Sequence, residues 1–384
     1  MSRTDAYQVI VTDDSAVIRG LITRILESDP EIKVVSSAAD GQMAINTLKR
    51  LAGVGTFVDA MVLDIEMPGM DGLTAIPKLL EVDPQLKIVM ASTLTLQNAS
   101  ASLKALALGA SDYVPKPTTT TAINGTDAFK REIVAKVKTL GAIARDGRGR
   151  GRPSAREGDA DPASVGRGRP AARSAPVAAR QAPASAISLR RGVELPAAAI
   201  VIGSSTGGPQ ALSALLEKLP AGLRLPILIT QHMPPTFTTI LAQHVAKASG
   251  VPAAEAVDGE PVQGGRIYVA PGDFHMIPVS ENGVVRLRLT KDAPENFCRP
   301  SVDPMFRAAA RIWGGRVIAV VLTGMGQDGL AGGQVLVEAG ATLVAQDEAT
   351  SVVWGIPGAV AMAGICSEVL PLSELSRWLR RRLG

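Results

Sequence analysis

Residues 145–191 decide how the rest of the chain can be organised, because that stretch cannot bury a core. It begins Arg145-Asp-Gly-Arg-Gly-Arg-Gly-Arg152-Pro and continues in Ala, Pro, Ser, Gly and Arg with few large apolar groups. Such a composition predicts a disordered tether. The 384 residues therefore divide into a globular unit at 1–144, a linker at 145–191 and a second globular unit at 192–384, each of ordinary domain size. A flexible chain of this length spans about 35–40 Å, more than the ~15 Å radius of gyration of such a domain. The tether fixes proximity, not orientation.

The linker also holds the basic charge. It has eleven arginines against four acidic residues, whereas 1–144 has 14 basic and 16 acidic residues and 192–384 has 15 and 16. The net charge of +4 is thus no sign of a nucleic-acid-binding domain, and nucleic acid is not an expected partner. Arg-Gly repeats also hold RNA loosely, which leaves an RNA-tethered regulator as an alternative. No apolar run approaches the roughly 20 residues that a bilayer requires, and Met1-Ser-Arg-Thr-Asp-Ala6 has no signal-peptide core, so a cytoplasmic protein is expected. The two cysteines, Cys298 and Cys366, are too far apart in sequence for a metal-ligand motif or a disulfide framework, in keeping with a reducing compartment.

Residues 1–144 alternate strand and helix patterns five times, which predicts an open α/β fold with a parallel sheet. Strands are expected at Gln8–Thr12, Ile32–Ser36, Val58–Leu63, Leu86–Ala91 and Ser111–Val114, with helices such as Ala16–Glu27, Met43–Leu51 and Leu73–Leu80 between them. Function in such folds collects at the C-terminal strand ends. There the sequence puts Asp13 and Asp14, Asp64, Ser92 with Thr93, and Lys116. Converging carboxylates suit a hard Mg²⁺ ion, and a hydroxyl and a lysine suit a phosphoryl group carried on one of them.

The second unit alternates likewise, with strands expected at Ala198–Ile202, Ile227–Thr230, Arg266–Val269, Val317–Leu322 and Thr342–Ala345, and helices at Gln210–Leu219, Thr238–Ala248, Asp303–Ile312 and Gly332–Ala339. The stretch Ile200-Val-Ile-Gly-Ser-Ser-Thr-Gly-Gly-Pro-Gln210 reads as a strand, a tight turn and a helix N-terminus. Such a turn holds a phosphate or presents a nucleophile, and Gly203-Ser-Ser205-Thr-Gly207 matches G-x-S-x-G. The Gly-Lys-Ser/Thr of a Walker loop is missing, and Ser205 replaces the second glycine of a dinucleotide fingerprint.

A serine nucleophile needs a base, and the base an orienting acid. The chain holds three histidines. His244 reads as mid-helix, His275 as a loop residue after a strand and a supporting group, and His232 as directly following a strand that neighbours the one ending at Ser205. Asp328, past a strand in Val320-Val-Leu-Thr-Gly-Met-Gly-Gln-Asp-Gly329, suits the acid. Asp347, after another strand, competes for that role, and Asp303 reads as a helix cap. The order Ser, His, Asp is not that of the α/β-hydrolases.

Two resemblances complete the reading. Val11-Thr-Asp-Asp-Ser15, Leu63-Asp-Ile-Glu-Met-Pro-Gly-Met-Asp-Gly72, Met90-Ala-Ser-Thr93 and Tyr113-Val-Pro-Lys-Pro117 resemble a flavodoxin-like response-regulator receiver. This implies that Asp64 accepts a phosphoryl group from a chemotaxis histidine kinase. It also implies that Asp13, Asp14 and the Glu66 carbonyl help hold Mg²⁺, that Lys116 contacts the phosphoryl oxygens, and that Ser92 and Tyr113 form a switch. Gly203-Ser-Ser-Thr-Gly-Gly208, Thr230-Gln-His-Met-Pro-Pro235, Tyr268-Val-Ala-Pro-Gly272, Arg299-Pro-Ser-Val-Asp303 and Thr323-Gly-Met-Gly-Gln-Asp-Gly329 resemble the chemotaxis protein-glutamate methylesterases, the CheB family, with a Rossmann-like catalytic domain. That implies removal of methyl groups from γ-glutamyl esters on methyl-accepting chemoreceptors, and deamidation of receptor glutamines. Ser205 would be the nucleophile, His232 the base, Asp328 its orienter, and Met325 with Thr206 the oxyanion contributors, with no cofactor in the esterase site. The linker is longer and richer in Arg than the hinge associated with the family. Cys298 and Asp273 flank matching segments and are expected at the substrate rim. The alternative function is a non-enzymatic regulator whose second unit is a protein-binding output module.

Overall fold

The structure is a computed structural model that describes residues 6–93, 95–116, 124–150, 187–191, 195–217, 219–220 and 222–383. The expected disorder of the linker 145–191 falls mostly on 151–186, which lie outside the described residues, as do 192–194 at the start of the second unit.

In the first unit the elements follow as β1 (Tyr7–Thr12), α1 (Ala16–Glu27), β2 (Ile32–Ala38), α2 (Gly41–Gly53), β3 (Ala60–Asp64), α3 (Gly72–Val82), β4 (Lys87–Ser92), α4 (Leu96–Ala107), β5 (Asp112–Pro115) and α5 (Asn124–Arg150). Side chains of Ser15, Asp40, Asp71 and Thr95 accept backbone N–H groups at the starts of α1 to α4 and so set where those helices begin. The sheet is parallel, in the order β2-β1-β3-β4-β5. Strand residues alternate between two buried faces: Val9, Val11, Ala60, Val62 and Val89 meet Ile22, Leu26, Ile133 and Val137 on one side, while Ile10, Met61, Leu63 and Met90 meet Leu48, Ile76 and Leu79 on the other. The direction of winding reverses between β1 and β3, whose ends carry Asp13, Asp14 and Asp64.

Helix α5 runs past the expected boundary at 144 for an electrostatic reason. Arg145 and Arg148 reach back to the buried Asp59 at 2.8 and 3.2 Å, and Arg148 also pairs with Asp83 at 2.7 Å. A low-complexity composition masks that last helical turn and a half.

The second unit runs β6 (Ala199–Ser204), α6 (Gly208–Leu216), β7 (Ile227–Gln231), α7 (Phe237–Ser249), β8 (Ala253–Glu255), β9 (Ile267–Val269), β10 (His275–Glu281), β11 (Val284–Thr290), α8 (Val302–Trp313), β12 (Val317–Val321), α9 (Leu330–Glu338), β13 (Thr342–Gln346), α10 (Ile356–Met362), β14 (Glu368–Leu370) and α11 (Leu372–Leu383). Its seven-stranded sheet has the order β14-β13-β12-β6-β7-β9-β8, all parallel. The first strand, β6, lies in the middle. Winding reverses between β6 and β12, and the crevice beyond their C-terminal ends is where the Ser205 turn and the Asp328 loop meet. Both units are thus doubly wound α/β domains, as the alternating patterns predict.

One departure is the β10–β11 hairpin, antiparallel and outside the main sheet. Asn282 and Gly283 turn it with φ of 53° and 79°, the primed geometry that Asn-Gly selects. The hairpin takes His275 out of the expected loop and into β10, 1% exposed.

The units pack on each other through α4 and β5. Leu103, Leu106 and Tyr113 share one buried cluster with Leu212, Phe237 and Leu241, and the Tyr113 and Phe237 rings stack at 4.6 Å.

At Gly72, the first residue of α3, a Cβ would lie 2.1 Å from the Asp64 carbonyl oxygen. Gly72→Ala is expected to cost about 1–3 kcal/mol or more by overpacking, read as a lower urea midpoint of the first unit. An unchanged midpoint would mean that this approach is not as close as described.

Candidate active site

Ser205 stands where β6 gives way to α6. The turn is left-handed at Gly207, with φ of 78°, and Gly208 is required next because a Cβ there would lie 1.9 Å from Gln231 Oε1. Gln231 ties the neighbouring strand to this turn: its Oε1 accepts from Ser204 Oγ at 2.6 Å and its Nε2 donates to the Ser205 carbonyl at 2.9 Å. From the other side, Ser205 N donates to Thr323 O at 3.0 Å, and Gly324 passes so close that its Cβ would lie 2.7 Å from that of Ser205. The turn is clamped between the ends of β7 and β12.

His232 follows β7, with its backbone N–H on Ser204 O at 3.1 Å. Its Nε2 meets Asp328 Oδ2 at 2.7 Å. The competing acid, Asp347, is spent on its own turn, accepting from Thr350 N and Oγ1 at 3.0 and 2.5 Å. Asp303 does not cap its own helix, whose N-cap is Ser301. It takes the N–H groups of Gly329 and Gly332 at 3.0 and 2.6 Å, and so caps α9, the next helix in the chain. His275 is a supporting strut rather than a site group: Ser301 N donates to its Nδ1 at 3.2 Å, and its Nε2 bonds the Ala293 carbonyl at 3.2 Å. His244 lies on α7, half-buried.

Asp328, 1% exposed, survives as a buried anion because it is surrounded by donors. Its Oδ1 accepts from Ser301 Oγ at 2.8 Å, Asp303 N at 3.0 Å and Asn296 Nδ2 at 3.1 Å, and its Oδ2 accepts from Val302 N at 2.6 Å. Burial raises its pKa, but the His232 hydrogen bond and charge and these amides outweigh that and pull it down to about 2. For His232, burial disfavours the imidazolium, yet the Cys298 sulfur and Asp328 outweigh it and push its pKa up to about 10.

Sequence reasoning missed what lies on the other nitrogen. Cys298 Sγ is 3.3 Å from His232 Nδ1, so Cys298 sits at the base and not at the rim. Among the described residues the Ser205 hydroxyl has no hydrogen-bond partner. Asp273 does lie outward, paired with Arg299 and Lys291.

Both expected oxyanion positions are touched by the first unit. Thr206, 4% exposed, donates through Oγ1 to Asp112 Oδ2 at 2.6 Å, and Thr139 Oγ1 donates to Met325 Sδ at 3.2 Å. Asp112 is itself held by half-buried Lys136 at 3.1 Å.

At the edge of the first sheet, Asp13, Asp14 and Asp64 bring one carboxylate oxygen each within 4.8 Å of one another. These all-oxygen donors fit a hard divalent cation. Lys116 bridges Asp13 and Asp64 at 2.7 and 2.8 Å. Burial, with the Asp13 charge, raises the Asp64 pKa against the pull of Lys116. The Ser92 hydroxyl shares a 2.9 Å hydrogen bond with Ser102 on α4, and Tyr113 is 3% exposed. Glu66 follows Asp64 by two residues, with its side chain exposed.

Asp328→Ala would strand these donors, and a loss of about 3–5 kcal/mol is expected in urea unfolding. Asp328→Asn, which keeps an acceptor oxygen, should lose less. Because the folded pKa of about 2 lies below the ordinary 3.8, the stability from this group is present above pH ~4 and lost as pH falls through about 2.

Comparison with known proteins agrees with both units. Residues 200–379 match the family model described as CheB methylesterase, and residues 9–125 match the response regulator receiver domain. The chain is 57% identical to the protein-glutamate methylesterase/protein-glutamine glutaminase of Azospirillum brasilense, over 98% of this chain and 93% of that one. It is 56% identical to the corresponding protein of a group 2 operon in Rhodospirillum centenum, over 98% and 94%. A crystal structure of the Thermotoga maritima CheB methylesterase catalytic domain is 41% identical, covering 49% of this chain and 99% of that one with a TM-score of 0.47. With the receiver and the Ser-His-Asp strand ends in one chain, and relatives this similar along nearly its whole length, the protein belongs to the CheB methylesterase family.

Proposed function

We propose that the chain is a phosphorylation-activated hydrolase that demethylates γ-glutamyl methyl esters on chemoreceptors and deamidates receptor glutamines. The observation that carries this is the 2.7 Å pair between His232 and a saturated, buried Asp328, one strand away from an unengaged serine hydroxyl. A binding module has no use for a buried carboxylate that collects five donors to hold one imidazole, and this disfavours the non-enzymatic alternative.

Because Nε2 faces Asp328, the base atom of His232 is Nδ1. Ser205 Oγ attacks the ester carbonyl while Nδ1 takes its proton. The Met325 backbone N–H, with help from Thr206, steadies the oxyanion. Collapse expels methanol, protonated by His232, and leaves an acyl-serine that water hydrolyses with the same imidazole as base. A glutamine side chain follows the same course with ammonia leaving. Asp328 keeps the ring in one tautomer and stabilises the imidazolium as it forms.

Control comes from the receiver. Asp64 accepts the phosphoryl group from a histidine kinase, and Lys116 holds the added oxygens. Asp13, Asp14 and the Glu66 carbonyl would hold Mg²⁺, which when bound would supply positive charge at the transferring group. In the unphosphorylated chain the receiver sits on Thr206, Met325 and Phe237. Phosphorylation draws Lys116, Ser92 and Tyr113 toward Asp64 and loosens the β5 contact. The reading places the protein in the cytoplasm.

Ser205→Ala should lower methanol release from methylated receptor by about 10⁴-fold or more with phosphoryl uptake intact; retained release would sink the assignment. Asp64→Asn should keep basal hydrolysis and lose its stimulation by a small phosphodonor. Equal stimulation of that variant would refute the switch.

A further inference from the structure

A ring of contacts places Cys298 beside the base by construction. Asn296 Nδ2 hangs from Asp328 Oδ1 at 3.1 Å and His232 Nε2 from Oδ2 at 2.7 Å. From Asn296 the chain turns back through two left-handed residues, Asn296 and Phe297, with φ of 52° and 62°. Cys298 N then closes on Glu295 O at 2.9 Å, and the sulfur arrives 3.3 Å from His232 Nδ1. The carboxylate that aims one face of the imidazole thus also anchors the loop that covers its other face.

Nδ1 is the nitrogen that must accept the Ser205 proton, and it has one lone pair in the plane of the ring. A sulfur 3.3 Å away holds the place at Nδ1 that the Ser205 hydroxyl needs, and Ser205 finds no base until that sulfur moves. We propose that Cys298 is a positioning residue that competes with Ser205 for Nδ1 of His232, withholding the base in the closed chain and yielding it when hydrolysis begins. This rests on the roles proposed above for Ser205 and His232. The titratable groups around the ring are few. The Asp328 carboxylate and the Cys298 sulfur face it directly, and Asp303 stands behind Asp328 with Arg307, itself paired with Glu295.

A base works above its own pKa, so removing a neighbour that favours the imidazolium must shift the acid limb of the rate profile to lower pH. Methanol release by the full chain is compared for the wild type, Cys298→Ala and the near-isosteric Cys298→Ser. The Ala variant should shift the limb down by about one pH unit, a roughly tenfold higher kcat on that limb, with KM unchanged, and the Ser variant should fall between. An unmoved limb, or a kcat reduced in both variants, would overturn the proposal. The His232 ring titration followed by NMR in the same chains needs no substrate. A lower midpoint in Cys298→Ala supports the competition even if no ester is cleaved, an outcome that would instead fail the hydrolase reading; an unchanged midpoint refutes the competition outright.

Discussion

A single buried carboxylate organises the hydrolase unit. Asp328 is an anion inside the protein, tolerable only because hydrogen bonds from the N-terminus of α8, from Ser301, from Asn296 and from His232 replace its lost water. In satisfying that one group, the chain brings the end of β12, the start of α8, the 295–298 loop and the end of β7 to a common point. Asp303 extends the arrangement by capping α9. The geometry of the base follows from the solvation of its partner.

The receiver meets this site through groups that are themselves electrostatically committed. Asp112 is held by Lys136 and accepts from Thr206, and Lys136 also bonds Glu132 and the Tyr113 carbonyl. Asp112 opens β5, and Lys116, which bridges Asp13 and Asp64, directly follows its end. A change at Asp64 therefore has only β5 to cross before it reaches the residue following Ser205.

Much of this was legible in the sequence, and for identifiable reasons. Parallel strands buried on both faces give continuous apolar runs, so β6, β7 and β12 stand out, and the residues that follow them, Ser205, His232 and Asp328, can be listed before any coordinates are seen. The choice between Asp328 and Asp347 could not be made that way, since both follow strands and only the strand order separates them. Asp303 reads as a cap from local spacing, but the N–H groups it takes belong to a helix some 26 residues on. Asn282-Gly283 is a hairpin signal in its own right, and the hairpin it turns stands outside the main sheet that the alternating pattern describes. Cys298 carried no local signal at all: its place beside His232 depends on two left-handed residues and a side-chain anchor, none of which periodicity records. The long α5 was hidden by an Arg-Gly composition whose arginines are neutralised by Asp59 and Asp83, far away in sequence.

At their centre the contacts between the two units are shielded from water. Asp112 and Thr206 are each 4% exposed, and Phe237 is not exposed at all. Mobile ions screen charges in solution over about 8 Å at physiological strength, but they do not enter such a seam. The Asp112–Thr206 hydrogen bond at the catalytic edge is therefore little screened. Salt weakens the Asp112–Thr206 contact far less than it would weaken a pair of exposed charges.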